Sequence, residues 1–230
     1  AGHGVIGRLA APLNALLLLS AFLYMVPLLG PRRAVLCYRV ACGAALVLYA
    51  SSIFARHPLK LSSLRDPAVT GSHEAQLSLI CLMMLVSPPL PFAVVPFAAY
   101  AVHSVATSYG SAVSKLPAML QGALQPRLTW LLTEEGANMV QAFAAISELM
   151  VVLMAPLQLA MHGMRVVVLS GFYFQYVSRR YAASFWTQQA VAIISQKASG
   201  LFHHRYCPGP VGMLYDKTVA LIGSLAARVR

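Results

Sequence analysis

Two apolar segments near the start of the chain constrain its fold more than any other feature. Residues 9–29 and 34–55 are each almost entirely apolar, and a helix that crosses a bilayer needs about 20 such residues. The first segment is too long for the apolar region of a secretory signal peptide. Only Gly30-Pro31-Arg32-Arg33 separates the two segments, so we expect two membrane helices in a tight hairpin.

The composition excludes most other classes of protein. Of the 230 residues, 59% are hydrophobic and 10% are charged. A soluble domain carries about 25% charged residues on its solvated surface, and a disordered chain has low hydrophobicity. An ordinary soluble enzyme and a disordered protein are therefore both excluded. We predict an all-α, polytopic helical membrane protein.

Further apolar segments follow the first hairpin. Residues 77–86 and 92–109 flank a connection with three prolines in five residues, which predicts a second hairpin because proline interrupts helices. Residues 138–159 predict another span with Pro156 near its end. Residues 166–177 form a shorter apolar segment that we expect to end at Ser178-Arg179-Arg180.

Amphipathic segments complete the chain. Residues 111–135 predict an interfacial helix interrupted by Pro126, because apolar residues recur there at helical spacing beside polar ones. From Ser184 onward the pattern is again amphipathic, with Trp186 on the apolar face of the first tail helix. We therefore divide the chain into a transmembrane hairpin domain, 1–183, and a basic amphipathic tail at the cytosolic membrane surface, 184–230. The apolar stripe of the last tail helix includes Leu214, Leu221 and Leu225.

The excess of positive charge indicates an orientation. The formal net charge is +11, and cytosolic segments of membrane proteins are enriched in Lys and Arg. The 56–76 loop and the tail hold more basic residues than the far-side turn at Arg32 and Arg33. We predict that both termini are cytosolic and that the basic face lies against anionic lipid headgroups. Nucleic acid is not an expected partner.

Few residues could carry chemistry inside the membrane. Glu148 lies near the middle of the 138–159 segment, and His103 on the 92–109 segment is its only evident intramembrane partner. Ionisable groups at such depth are functional candidates, and a small transporter using both residues is one alternative. We interpret both as structural polar residues. No catalytic motif, phosphate-binding loop or metal-binding spacing occurs, so we expect no catalytic residue, metal or cofactor.

Cysteine usage gives no sign of redox chemistry. The four cysteines form no C-x-x-C motif, and Cys37, Cys42 and Cys81 lie in apolar segments. We interpret these three as small buried hydrophobic residues. The fourth, Cys207, lies in the tail.

The stretch 172–181 has the most distinctive local composition, with aromatic residues before two arginines. Such a pattern is typical of a helix that leaves the bilayer, with rings at the interface and guanidinium groups on lipid phosphate. Tyr173, Tyr176, Arg179 and Arg180 are therefore predicted membrane contacts, and a protein-docking surface on the same residues is the alternative.

The order of these features resembles the transmembrane protein 33 family, also called Krüppel homologue 2. The similarity runs nearly end to end and in register, with departures at Ser147 and Gln175 and without the family's basic pair near the C-terminus. Four stretches carry it: Val26-Pro27-Leu28-Leu29-Gly30 with Cys37-Tyr38-Arg39; residues 95–109; Ser147-Glu148 with Pro156; and residues 172–180.

The resemblance implies a non-enzymatic protein that shapes or stabilises membrane of the endoplasmic reticulum and nuclear envelope. It also implies contacts with integral membrane proteins of the reticulon type, and fungal members associate with nuclear pores and tubular endoplasmic reticulum. Short hairpins and interfacial helices fit this role, because they add area to one leaflet. The alternative is an accessory subunit of a large mitochondrial or plastid membrane complex, and a start at Ala1 without Met is compatible with removal of a transit peptide.

Overall fold

Helices make up all the regular structure in the part of the chain that the computed structural model describes. That part comprises residues 2–26, 30–56, 67–90, 92–109 and 118–202, with residues 213, 216, 217 and 220 of the tail. The predicted all-α membrane fold is confirmed. The helices are α1 Gly2–Met25, α2 Pro31–Arg56, α3 Pro67–Thr70, α4 His73–Val86, α5 Val95–Tyr109, α6 Ala118–Leu131, α7 Glu134–Leu153, α8 Ala155–His162, α9 Val167–Ala183 and α10 Phe185–Phe202, with a 3-10 turn at Gly163–Val166 between α8 and α9.

Six helices pack in a closed ring around one core. Around the ring the order is α1, α2, α4, α9, α7 and α5, which returns to α1. The first predicted hairpin is present, since α1 and α2 pack closely against each other. Helix α10 lies against α7 and α9, so this part of the predicted tail contacts the helical bundle.

The second predicted hairpin needs correction. Helix α4 packs mainly against α2, whereas α5 packs mainly against α1 and α7. The connection from Ser87 to Val94 therefore carries the chain across the bundle to a different neighbour. Leu90, Ala93 and Val94 of this connection are buried, and burial of an apolar connection in the core favours a crossing over a tight turn.

The predicted span at 138–159 is divided into two helices. Helix α7 ends at Leu153, and α8 begins at Ala155 after Met154. Pro156 has no N–H to donate to the carbonyl of Val152, and its ring disfavours continuation of the preceding helix. Pro156 thus ends the helix earlier than the apolar composition of residues 138–159 predicts.

Two other predicted helix limits are also corrected. Helix α9 runs through Ser178, Arg179 and Arg180 to Ala183 and ends at Ser184. Pro126 lies inside α6 without interrupting it. The side chain of Arg180 is paired within the bundle, which is compatible with its place inside α9.

The core of the ring is apolar and includes two of the cysteines. Cys42 and Cys81 are buried as predicted, while Cys37 is half-buried. Cys207 lies outside the described residues. Large core residues come from five helices of the ring and from the connection before α5: Leu17, Tyr38, Leu77, Met84, Leu90, Phe97, Leu169 and Tyr173.

The outside of the bundle is also rich in apolar side chains. Phe22, Leu36 and Val86 are 59%, 62% and 78% exposed. Large apolar side chains exposed to this extent are typical of surfaces that lie against a membrane or another protein. Two helices, α2 and α7, are long and apolar enough to cross a membrane, and shorter apolar helices are present at Leu9–Met25 and His73–Val86.

Contacts between helix ends define the two ends of the bundle. At one, which we call the Arg56 end, Arg56 at the end of α2 forms an exposed ion pair of 2.6 Å with Glu74 at the start of α4. At the other, the Leu90 end, the hydroxyl of Tyr24 near the end of α1 donates to the carbonyl oxygen of Leu90 at 3.4 Å.

Candidate functional site

A buried ion pair joins α7 to α9. The Nε atom of Arg180 lies 3.1 Å from Oε2 of Glu148, and the two side chains are 13% and 0% exposed. Charged side chains are rarely buried to this extent unless they are paired. This pair is the polar centre of an otherwise apolar bundle.

Two tyrosines bridge the ion pair. The hydroxyl groups of Tyr176 and Tyr100 donate to Oε1 of Glu148 at 2.9 and 3.2 Å. Arg180 donates from Nη1 to the Tyr176 hydroxyl at 2.9 Å and from Nη2 to the Tyr100 hydroxyl. Each tyrosine hydroxyl thus donates one hydrogen bond to the carboxylate and accepts one from the guanidinium. Both the donor and the acceptor capacity of the hydroxyl are used.

His73 covers this network at the Arg56 end. Its Nε2 lies 3.1 Å from Nη1 of Arg180, and its ring stacks on that of Tyr176 with centroids 5.8 Å apart. His73 begins α4, and the neighbouring Glu74 forms the exposed pair with Arg56. We call His73, Tyr100, Glu148, Tyr176 and Arg180 the Glu148 cluster.

The arrangement of the Glu148 cluster indicates a structural use of charge. Its five residues come from α4, α5, α7 and α9, four of the six ring helices. A buried ion pair contributes little net stability by itself, because desolvation offsets the attraction. Removal of one partner leaves the other charge buried and unpaired, which destabilises the fold, so the cluster favours the packing in which these four helices meet.

The structure separates the two predicted arginines. Arg180 lies inside the Glu148 cluster, where its guanidinium is held by protein groups, whereas Arg179 is exposed. Successive residues of a helix point about 100° apart, so neighbouring arginines face different surroundings. Of the pair, Arg179 is the residue available to a lipid phosphate.

The other predicted contact residues are distributed over several places. Tyr173 and Tyr176 are buried, with ring centroids 5.9 Å apart. Trp186 is half-buried beside the exposed Phe185 on α10. His103 is half-buried on α5, one helical turn beyond Tyr100, while Glu148 contacts Tyr100 itself. Leu214, Leu221 and Leu225 lie outside the described residues.

The sequence pattern does not identify His73, Tyr100 or the pairing of Glu148 with Arg180. One signal was available. Tyr173, Tyr176 and Arg180 are spaced i, i+3 and i+7, which places them on one helix face. Glu148 is an isolated acid inside the membrane. An arginine on such a face of a later helix is therefore a candidate partner for it. The position of Tyr100 depends on the packing of α5 and carries no local signal.

Comparison with known proteins agrees with the resemblance drawn from the sequence motifs. No curated protein and no solved structure matches the chain. The sequence model of the family described as transmembrane protein 33/nucleoporin POM33 matches residues 9–228. This match covers almost the entire chain and includes all five residues of the Glu148 cluster. The chain therefore belongs to the transmembrane protein 33/nucleoporin POM33 family of membrane proteins.

Proposed function

We propose that this chain is a non-enzymatic integral membrane protein that shapes or stabilises membrane of the endoplasmic reticulum and nuclear envelope. The family supports the membrane setting, because its description joins a transmembrane protein to a nucleoporin. In this proposal the Glu148 cluster maintains the shape of the bundle, and the bundle acts on the lipid around it.

The observation that carries the proposal is the unequal length of the apolar helices in one ring. Helix α2 has 26 residues and α7 has 20, whereas α4 has 14. At about 1.5 Å per residue, α4 extends roughly 21 Å, short of the roughly 30 Å hydrocarbon thickness. A rigid body with helices of unequal depth displaces different areas in the two leaflets, which favours curvature.

The α8 segment adds to this asymmetry. It has eight residues, too few to cross a bilayer, and it follows α7 directly. Leu157, Met161 and Met164 of α8 and the following turn are 55%, 68% and 78% exposed. Such a short apolar element fits shallow insertion into one leaflet.

The proposed partners are lipids and other membrane proteins. Exposed Arg179 and the basic tail would contact anionic headgroups on the cytosolic side. The exposed apolar faces of the bundle would contact integral membrane proteins, for which the resemblance indicates the reticulon type. These contacts would make the protein a scaffold in curved membrane.

Reconstitution tests the proposal. The full chain is inserted at increasing protein-to-lipid ratio into vesicles of phosphatidylcholine and phosphatidylserine, which are imaged by electron cryomicroscopy. We expect tubules or smaller vesicles as protein density increases. A chain truncated before Cys207 is compared at equal density, and a weaker effect is expected if the last predicted tail helix contributes. Unchanged vesicle shape with the full chain would contradict the proposal.

The accessory-subunit alternative predicts a different result. Extraction in mild detergent followed by native mass determination would then give a fixed, stoichiometric complex of megadalton scale. Variable assemblies with other curvature-associated membrane proteins are expected under our proposal.

A further inference from the structure

An apolar groove runs along the outside of the bundle between α5 and α7. Its volume is about 650 Å³, within the range of roughly 300–1,000 Å³ typical of ligand sites. Val102 of α5 and Met139, Phe143 and Ile146 of α7 form its walls. Trp130 lies at the end where α6 meets α7, and Phe92 lies at the other end.

The open wall of this groove is a poor surface for water. Met139 and Phe143 are 60% and 54% exposed. The other α7 residues that line the groove follow at helical spacing, up to Met150. In a membrane, lipid or another protein segment must cover these side chains. The groove is independent of the Glu148 cluster, since Ser147 lines it and Glu148 faces inward.

One cationic side chain and one of the two carboxylates in the first turn of α7 lie at the Trp130 end of the groove; the other carboxylate, Glu134, precedes residues that do not line it. Arg127 precedes Trp130 and Leu131 by three and four residues on α6, so it shares the helix face that lines the groove. Glu135 precedes Met139 by four residues and lies one turn above the groove on α7. Both side chains are exposed, and neither takes part in an ion pair within the described chain.

The turn between α6 and α7 fixes the relative position of the two helices that carry Arg127 and Glu135. The Thr133 hydroxyl accepts from the N–H of Gly136 at 3.2 Å and caps α7. A Cβ at Gly136 would overlap the Trp130 carbonyl oxygen and lie 2.7 Å from Cα of Leu131. Only glycine permits so close an approach, which holds Trp130 and Leu131 at the end of α6 beside the first turn of α7.

We propose that the groove binds a zwitterionic glycerophospholipid. One acyl chain lies along α7, the phosphate contacts Arg127, and the ammonium group of the headgroup contacts Glu135 and the ring of Trp130. A guanidinium suits phosphate, and an aromatic ring with a carboxylate suits a quaternary or primary ammonium. A zwitterionic headgroup carries both charges. It therefore matches Arg127 and Glu135 together better than an anionic headgroup does.

The α7 wall of the groove is long enough for an acyl chain. From Met139 to Met150, α7 rises by about 16 Å at roughly 1.5 Å per residue. One leaflet contributes about 15 Å of the roughly 30 Å hydrocarbon core. The α7 wall of the groove therefore matches the length of an acyl chain in one leaflet.

Photolabelling of the full chain tests the proposal. The protein is placed in phosphatidylcholine nanodiscs that contain phosphatidylcholine with a diazirine on one acyl chain, irradiated, digested and mapped by mass spectrometry. We expect adducts concentrated on Val102, Phe143 and Ile146, and few on the exposed Leu79 of α4 or Val47 of α2. Even labelling of all exposed apolar residues would overturn the proposal.

Variants that fill the groove give the matched comparison. Val102→Trp and, independently, Ile146→Trp are expected to lower the groove adducts by about tenfold, because a large side chain occupies the site. Leu79→Trp serves as the control and should leave them unchanged. Monodisperse elution and helical circular dichroism identify folded variants. Folded groove variants with undiminished labelling would overturn the proposal.

Headgroup variants distinguish the lipid class and the partner-helix alternative. Arg127→Gln and Glu135→Gln should each lower the phosphatidylcholine adducts on the order of threefold, as for an exposed ionic contact. With a phosphatidylglycerol probe, which lacks the ammonium group, Glu135→Gln should cause no loss. Equal labelling by both lipids, with no effect of Glu135→Gln, would overturn the zwitterionic assignment. A protein adduct from a photoreactive residue at position 143 in cells would overturn the lipid assignment.

Discussion

Glu148 and Arg180 show how a membrane bundle can bury a carboxylate beside its counter-charge. The carboxylate is completely buried, yet it contacts a guanidinium and two tyrosine hydroxyls. The same hydroxyls accept from Arg180, so each group supports the other. In a low-dielectric interior such a network is stabilising only while it is complete.

Substitution of Glu148 should destabilise the bundle strongly. Glu148→Gln leaves Arg180 buried without its counter-charge, and we expect a loss of about 3–5 kcal/mol in the free energy of unfolding. Thermal unfolding in detergent, followed by size-exclusion chromatography, measures the effect. Glu74→Gln removes the partner of exposed Arg56 and should cost less than about 1 kcal/mol. Equal losses for the two variants would contradict the role of the Glu148 cluster.

A double substitution distinguishes pairing from simple packing. Glu148→Leu with Arg180→Met removes both charges and keeps apolar volume in the core. We expect this double variant to be more stable than either single variant, because neither charge is left unpaired. The coupling energy is obtained from the thermal stabilities of four proteins: the unsubstituted chain, the two single variants and the double variant. Additive losses would show that the two side chains act independently.

The neighbouring arginines should behave differently on membranes. Arg179→Gln removes an exposed charge and should weaken contact with phosphatidylserine-containing vesicles, by about 1 kcal/mol near the surface, without lowering thermal stability. Arg180→Gln should lower thermal stability because it breaks the Glu148 cluster. Tryptophan fluorescence of the protein reconstituted in vesicles of increasing phosphatidylserine content reports the first effect. The reverse pattern would contradict the placement of these two side chains.

Among single residues, the sequence draws attention to several members of the Glu148 cluster but does not predict which of them contact one another. It singles out Glu148 from its intramembrane position as a structural polar residue, and Tyr176 and Arg180 from local composition as membrane contacts. It cannot bring them together, because Glu148 and Arg180 lie on separate helices and their contact depends on how α7 and α9 pack. His73 begins α4 beside a solvated loop, where a histidine carries no sign of contact with a buried arginine.

Among the helices, the effect of a proline on helix length depends on where the proline lies. Pro156 separates α7 from α8, whereas Pro126 lies within α6. The apolar pattern predicts where helices occur, but helix limits depend on capping and packing. Thr133 caps α7 and Ser72 caps α4 through their hydroxyl groups. The pairing of α4 with α2 is a property of the whole ring, and neighbouring position in sequence does not reveal it.

The α6–α7 turn offers a sharp test at the level of elements. Gly136→Ala places a Cβ against the backbone of Trp130 and Leu131 and should cost about 1–3 kcal/mol, as overpacking does. Gly171→Ala on α9 meets no atom within 4 Å and should be neutral or stabilising by up to about 1 kcal/mol. Thermal unfolding of both variants checks the contrast. A stable Gly136→Ala variant would contradict the close approach at this turn.

For the whole molecule, the ring of helices forms one packed bundle with two distinct ends. Arg56, Glu74 and His73 lie at one end, and Leu90 lies at the other with Tyr24. The sequence predicts the membrane class and the family from composition and from motifs in order. It does not predict the closed ring, because the contact of α9 with α4 joins segments about 100 residues apart.

Orientation in the membrane can be measured directly. On a background with Cys37 and Cys207 replaced by Ser, Glu74→Cys should react with membrane-impermeant maleimide from the cytosolic side of intact microsomes. Gly30→Cys should react only after detergent, because it lies at the far-side turn. Cys42 and Cys81 are buried and should stay unmodified. The opposite labelling pattern would contradict a cytosolic basic face.

The central claim is that this bundle favours curved membrane, and its distribution on membrane tubes tests that claim most directly. Fluorescently labelled full chain is reconstituted into giant vesicles, tubes are pulled, and protein density on the tube is compared with that on the parent vesicle. We predict enrichment that increases as the tube narrows, retained by Glu74→Gln and reduced by Glu148→Gln. Equal density of the unsubstituted protein on tube and vesicle at every radius would contradict the account.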